Sequence, residues 1–202
     1  MSFFDYSEQY DYPIFFEECL VPQQTKIFRE LINKYHSYVK YSDVPQRRIN
    51  YLIYRTSDSK VIGAIGISSC VLAISVRDNY IGWDKETRLK NSNMVANNYR
   101  FCLAPDNGIK NVGTMALKLL RVEGGKRWKE KYGDDLKYLI TFVAGGNNGA
   151  VYKADNWSMI GETAGLPKHK SVSMKWDNKE SLKEKYVKPT GENKKLIFFN
   201  KR

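Results

Sequence analysis

A chain of 202 residues with 42% hydrophobic side chains can bury a full core as a single domain spanning residues 1–202. No apolar run approaches the roughly 20 residues a bilayer-crossing helix needs. The aromatic, acidic start Met1-Ser2-Phe3-Phe4-Asp5-Tyr6 is unlike a secretory signal, so the cytoplasm is the expected compartment, with no membrane role.

Cys19, Cys70 and Cys102 are far apart and embedded in apolar runs, and read as reduced core thiols. With His36 and His169 as the only histidines and no CxxC pair, a zinc site has almost nothing to work with and no metal ligands are assigned; a metal held by carboxylates distant in sequence stays open. The formal net charge of +11 raises the local concentration of polyanions, with nucleic acid as the expected partner. An acidic partner, an anionic cofactor or a merely solvated surface are the alternatives. The charge is concentrated in residues 167–202, where eleven Lys or Arg face four Asp or Glu. Trp176, Tyr186, Phe198 and Phe199 are interleaved there, either to stack on bases or to enter the core.

In chain order, residues 1–12 lack periodicity and are expected as a surface arm. Pro13 to Leu20 predicts a strand, and Pro22 opens a helix whose stripe is Ile27, Phe28, Leu31, Ile32, Tyr35 and Tyr38. His36 lies on or beside that stripe as a packing residue. Arg48 to Arg55 and Lys60 to Val71 predict a strand pair turned at Ser57-Asp58-Ser59. Gly63 and Gly66 within it predict a bulge or a close backbone approach. Asp84 caps a helix running toward Asn97, and Tyr99 to Ala104 is a strand stopped by Pro105-Asp106-Asn107-Gly108. A long helix from Lys110 is expected to break at Gly124-Gly125 and resume over Lys126 to Tyr132. Leu136 to Val143 is a central strand, followed by a short helix over Ala150 to Asp155. Strands near Trp157 to Gly161 and Ser171 to Trp176, a helix from Ser181 and a last strand from Lys195 to Phe199 complete the order. The sum is an α/β chain with one mixed sheet flanked by helices.

Several motifs stand out in order: Ile81-Gly82-Trp83, Asn97 to Pro105 (NNYRFCLAP), Thr141-Phe142-Val143, Gly149 to Trp157 (GAVYKADNW) and Gly161-Glu162-Thr163. With the closing strand Lys195 to Phe199, they resemble a family found in the Druantia anti-phage system and beside transposases. The stretch from Lys110 to Trp157 is also similar to Mom, the phage protein that modifies adenine in DNA, and through it to the GNAT acyltransferase superfamily. The resemblance implies a GNAT-like N-acyltransferase fold. It implies a transferase that modifies DNA bases in a phage, mobile-element or defence setting. A nucleic-acid-binding module without catalysis, built on the same fold, is the alternative.

The resemblance also assigns candidate roles. Lys110, Asn111, Val112, Gly113 and Thr114 stand at a strand-to-helix junction, where GNAT enzymes hold the pyrophosphate of coenzyme A on free helix amides. Acetyl-CoA or another acyl donor is the implied cofactor, although Met115 occupies a position that is usually Gly or Ala. An ordinary loop-to-helix start is the other reading of this segment. Tyr152 matches the tyrosine that protonates the leaving thiolate; a phenol of pKa near 10 serves as a general acid, or else anchors the helix in the core. Asn97, Asn98 and Arg100 are expected either to orient a base edge or phosphate, or to tie strands together. Asn156 is grouped with these substrate-binding residues, or holds its own loop. Ser69 and Asp78 match the segment before Ile81-Gly82-Trp83, as candidate nucleophile and base; Arg77 and Asp78 otherwise form a surface loop. The carboxylate that Mom carries after this strand has no counterpart at Ala144-Gly145-Gly146.

Overall fold

The computed structural model describes residues 12–36, 41–42, 46–144, 146–165 and 193–202. Burial alternates along β1 (Ile14–Glu18), whereas β2 (Arg48–Arg55) and β3 (Val61–Ser69) are apolar runs buried on both faces. α1 (Pro22–Tyr35) starts on proline, and Gln24 Oε1 accepts from the amides of Leu20 and Val21 at its mouth. α2 (Ser75–Ile81) and α3 (Lys85–Asn91) follow, the latter capped by Asp84, which accepts from the Thr87 amide at 2.7 Å.

The helix from Asp84 stops at Asn91, and after one tight turn (Ser92–Met94) β4 already runs from Val95 to Leu103. Asn97 is therefore strand, not helix end. The helix α2 carries no apolar stripe of its own in sequence and was not expected.

The long helix does not break at its glycines. α4 (Val112–Leu119) passes through a π-helical turn (Leu120–Gly124) directly into α5 (Gly125–Tyr132). Packing overrides propensity here: a Cβ on Gly124 would stand 3.2 Å from Leu120 Cδ1, and one on Gly125 would collide with the Arg202 guanidinium. β5 (Tyr138–Val143), α6 (Ala150–Ala154), β6 (Ser158–Glu162) and β7 (Leu196–Lys201) complete the described chain. The strand expected at Ser171 to Trp176, the helix from Ser181, most of the 1–12 arm and most of the basic 167–202 region lie outside the described residues.

The seven strands among the described residues form one sheet in the order β1-β2-β3-β4-β5-β7-β6. Only the β4–β5 pair is parallel; the rest are antiparallel. One face carries α4, α5 and α6 over a core containing Tyr51, Ile65, Leu120, Trp128, Tyr152 and Phe198. On the other face α1 covers Leu52, Ala64 and Cys102 through Phe28 and Ile32. A third cluster, with Ile74, Val95, Ile140 and Phe199, lies under the segment around α2. Phe198 and Phe199 are thus core residues rather than stacking platforms. No helix among the described residues is long and apolar enough to cross a membrane.

Candidate functional site

The parallel pair in the middle of the sheet is zipped for only three residue pairs: Val95 with Tyr138, Ala96 with Leu139 and Asn97 with Ile140. Beyond them β4 stays with β3, β5 stays with β7, and the two diverge. The cause lies in β4. Gly66 pairs with Arg100 but Ile67 pairs with Asn98, so Tyr99 is an inserted residue that bends the strand. Gly66 makes room for it, since a Cβ there would lie 2.8 Å from both Asn50 Oδ1 and the Tyr99 ring. The Tyr99 hydroxyl donates to Asn50 Oδ1 at 2.6 Å, and burial pushes its pKa up to about 12. The glycine expected to mark a bulge or a close approach marks both.

At the apex, side chains replace the missing ladder. The Thr141 hydroxyl donates to the Asn98 carbonyl at 2.9 Å. The Tyr152 hydroxyl donates to Asn98 Oδ1 at 2.8 Å and stands 3.4 Å from the Thr141 hydroxyl. Asn98 Nδ2 in turn donates to the carbonyls of Gly66 and Arg100. Above this knot the strands enclose a slot of about 330 Å³, within the range of small-ligand sites. Its walls come from β4 (Asn98 to Phe101), β5 (Thr141 to Val143), the loop and helix start from Asn147 to Tyr152, and Tyr35 and His36 at the end of α1.

α6 presents Tyr152 because its motif is built to do so. Gly149 adopts φ +69°, and a Cβ there would stand 2.3 Å from the Phe198 ring, so a side chain would both strain the backbone and strike the core. The Tyr152 ring stacks on Phe198 and meets Trp157 edge-on, with centroids 5.8 and 5.1 Å apart. Asp155 closes the motif by accepting from Trp157 Nε1 and pairing with Arg121 on the π turn. The phenol is 8% exposed: it lines the slot from its floor.

The start of α4 adjoins this wall. Gly113 leaves 2.6 Å between an added Cβ and Val151 Cγ2, which brings the helix mouth against α6. Lys110 and Asn111 are exposed, whereas the Val112 side chain is buried in the main core. The Thr114 hydroxyl turns back to donate to the Asn111 carbonyl at 2.9 Å. Met115 packs against the main core. None of the five lines the slot itself.

The remaining expected site residues divide. Asn98 and Arg100 line the slot. Asn97 sits in the zipped part, opposite Ser68 and Ile140, outside the lining. Asn156 is exposed at φ +58°, turning the chain out of α6 and away from the slot. Ser69 ends β3 opposite Ala96, at the closed end of the parallel pair. Asp78 is no surface residue: it and Arg77 are 3% and 0% exposed on α2. Arg77 donates twice to Asp78 and Arg88 once, at 2.5, 2.8 and 3.1 Å, leaving a carboxylate already saturated by two guanidiniums. Neither Ser69 nor Asp78 lines the slot.

His36, Asn147 and Asn148 do line it and were not singled out as site residues. Their only sequence signal was polarity beside apolar elements. Burial, and secondarily the charge of Arg100, holds the His36 pKa below its ordinary value. No group of three or more His, Cys, Asp or Glu side chains among the described residues is arranged to hold a metal ion.

Residues 16–197 match the family described as Druantia protein DruA. A curated member from Escherichia coli (strain UMEA 4076-1) is 48% identical over 42 residues, which is 21% of this chain and 10% of that protein. The chain thus spans a small fraction of its curated relative. Among solved structures, Arabidopsis thaliana NAA60 in complex with acetyl-CoA superposes with a TM-score of 0.55 at 10% identity, over 94% of this chain and 99% of that one. The Salmonella typhimurium acetyl transferase that modifies the N-terminal serine of ribosomal protein L7/L12 gives 0.53 at 8% identity, over 94% and 95%. A GNAT-family acetyltransferase from Bacillus anthracis gives 0.51 at 9%, again over 94% and 95%. The fold is that of the GNAT acetyltransferases.

Proposed function

The chain belongs to the Druantia protein DruA family, and on that premise we propose that its split sheet is an acyl-transfer site acting on nucleobase amines of DNA. The observation that carries this reading is the slot between β4 and β5 with the Tyr152 hydroxyl at its apex.

The residues present suit an acyl-CoA donor. An extended arm laid between two parted strands meets backbone groups that no longer bond to each other, as added strands do at any open edge. The helix start at Val112 to Thr114 adjoins the slot through Gly113 and Val151 and offers amides to an anion. Met115, on the first turn of that helix, packs against the main core. A thioester bound there would supply an activated acyl carbon and a sulfur leaving group. Tyr152 is the hydroxyl positioned to hand that sulfur a proton. The net charge of +11 and Arg100 in the slot support a polyanionic acceptor. A base inside a duplex must be extruded to reach a slot of this size, so single-stranded DNA is the better substrate.

The test incubates the full chain with acetyl-CoA and a single-stranded oligodeoxynucleotide and reads oligonucleotide mass. An acetyl increment that disappears in Tyr152→Phe, with oligonucleotide binding retained, is the expected result. Absence of any increment with a panel of acyl-CoA donors overturns the transferase reading.

One observation favours a second reading, a nucleic-acid-binding module without catalysis: the phenol is nearly buried and already hydrogen-bonded. Binding that weakens steeply with salt, with no acyl transfer, is its signature.

A further inference from the structure

We infer that the slot is worked from both faces of the sheet: His36 on the α1 face takes the proton from the acceptor amine, and Arg100 beside it holds a phosphate of the strand carrying that amine. This inference rests on the acyl-transfer reading and names the acceptor side of the same site.

Three observations carry it. The first is geometric. α1 packs on one face, through Phe28 and Ile32, while Tyr152 belongs to the core on the opposite face. Tyr35 and His36 nevertheless share the slot with Ala150 to Tyr152, so the opening passes through the sheet. Donor and acceptor can approach from opposite sides and meet at the apex.

The second is chemical. Among the described residues no carboxylate and no lysine lines the slot; its ionisable side chains are Tyr35, His36, Tyr99, Arg100 and Tyr152. Amine attack on a thioester requires a proton acceptor. Arginine stays charged, the buried Tyr99 phenol holds its proton beyond neutrality, and Tyr152 already donates to Asn98. The imidazole is the one group here that is both basic and neutral at pH 7. Among the described residues, the charged or titratable groups that share the slot with it are Arg100 and Tyr99 from β4, Tyr35 from its own helix and Tyr152 from α6. The facing walls on β5 and α6 bring no charge. Burial and Arg100 lower its pKa, which keeps it free of a proton before the acceptor arrives.

The third is an unmet donor. Arg100 Nη1 donates to the Tyr99 carbonyl at 2.8 Å, and the guanidinium lies 5.0 Å from the Tyr99 ring centroid. Its Nε is buried without a hydrogen-bond partner among the described residues. A guanidinium held by one edge, with a donor left over, is arranged for an oxyanion.

The step balances. The amine nitrogen forms a bond to the acyl carbon as the carbon–sulfur bond breaks. The amine proton passes to His36, and the Tyr152 proton passes to sulfur. Amide and thiol leave, and solvent restores both side chains.

Two histidines in the chain make the test direct: the imidazoles are followed by NMR during a pH titration, with His36 assigned by His36→Gln. His36 should titrate below the ordinary histidine value in the free chain. Adding a single-stranded oligodeoxynucleotide should move it upward, because a phosphate against Arg100 cancels the neighbouring charge. Arg100→Gln should raise it in the free chain and abolish the oligonucleotide response. In the acetyl-transfer assay His36→Gln should lower kcat/KM by about 10² or more and remove the acidic limb of its pH profile. An unmoved His36 resonance on saturation with oligonucleotide overturns the inference, as does an unchanged pH profile in a folded His36→Gln variant. In both cases a Tyr152-dependent transfer would leave the acyl-transfer reading standing. If the native chain transfers nothing, both fall together. A response to an acidic peptide in place of the oligonucleotide would reassign the acceptor and overturn the phosphate role.

Discussion

Tyr152 on α6 and Asn98 on β4 share one proton bridge of 2.8 Å across the point where the sheet divides. Asn98 accepts there through Oδ1 and donates through Nδ2 to the Gly66 and Arg100 carbonyls, so a single amide ties three segments together. Asn98→Ala removes all three bonds and leaves buried partners unmet. It should cost about 2–3 kcal/mol, lowering Tm by roughly 4–12 °C. Tyr152→Phe removes the bond to the Asn98 oxygen and the weaker contact with Thr141, and should cost about 1 kcal/mol. Thermal melts of the two variants side by side check the ranking.

Thr141 supplies the last rung. Thr141→Val keeps the shape but removes the hydroxyl that donates to the Asn98 carbonyl, and should destabilise by about 1–2 kcal/mol. Amide exchange at the β4–β5 pairs Val95 to Asn97 should accelerate, because the rung closes the end of a three-pair ladder. Exchange slower than in the parent chain would show that Thr141 does not hold the apex.

Gly149 and Gly133 separate backbone strain from collision. Both have positive φ, +69° and +78°, but an added Cβ strikes Phe198 at one and open space at the other. Gly133→Ala should cost about 1–2 kcal/mol, the left-handed penalty alone. Gly149→Ala adds the cost of displacing a core ring, about 1–3 kcal/mol more. Denaturant midpoints of the two variants give the comparison.

The three thiols define an alkaline limit. Burial raises Cys19 to about 12 and Cys70 and Cys102 each to about 11, from an ordinary value of 9.0. For an acid whose folded pKa is raised, folding favours the protonated form. That stability is complete below pH 9, and is lost as pH rises through the folded values. Tm should therefore stay level from pH 7 to 9 and fall between about pH 9 and 12. In the folded chain at pH 8, iodoacetamide should alkylate all three far more slowly than it does in denaturant.

Much of the fold was legible from local pattern. Partial alternation located β2, an apolar run located β5, the three-four stripe located α1, and Asp84 announced α3, because periodicity and capping chemistry are written in the residues themselves. The motif from Gly149 to Trp157 pointed to Tyr152. Where local rules failed, tertiary contacts outweighed them. Gly124-Gly125 reads as a helix break, yet the glycines admit Leu120 and Arg202 and the helix runs on. Asp78 reads as a surface residue, yet its two arginine partners bury it.

By itself the sequence determined most of the element types, the basic character of the chain, and the turn and glycine positions that let Tyr99 bulge and Tyr152 face inward. Only the tertiary structure decided which polar residues share a site. His36 shares a slot with Arg100 and Tyr152 because the central parallel pair stops after Asn97 and leaves an opening between two faces of one sheet. Residues 36, 100 and 152 come together through strand pairing and helix packing, long-range contacts that leave no periodicity in the chain between them.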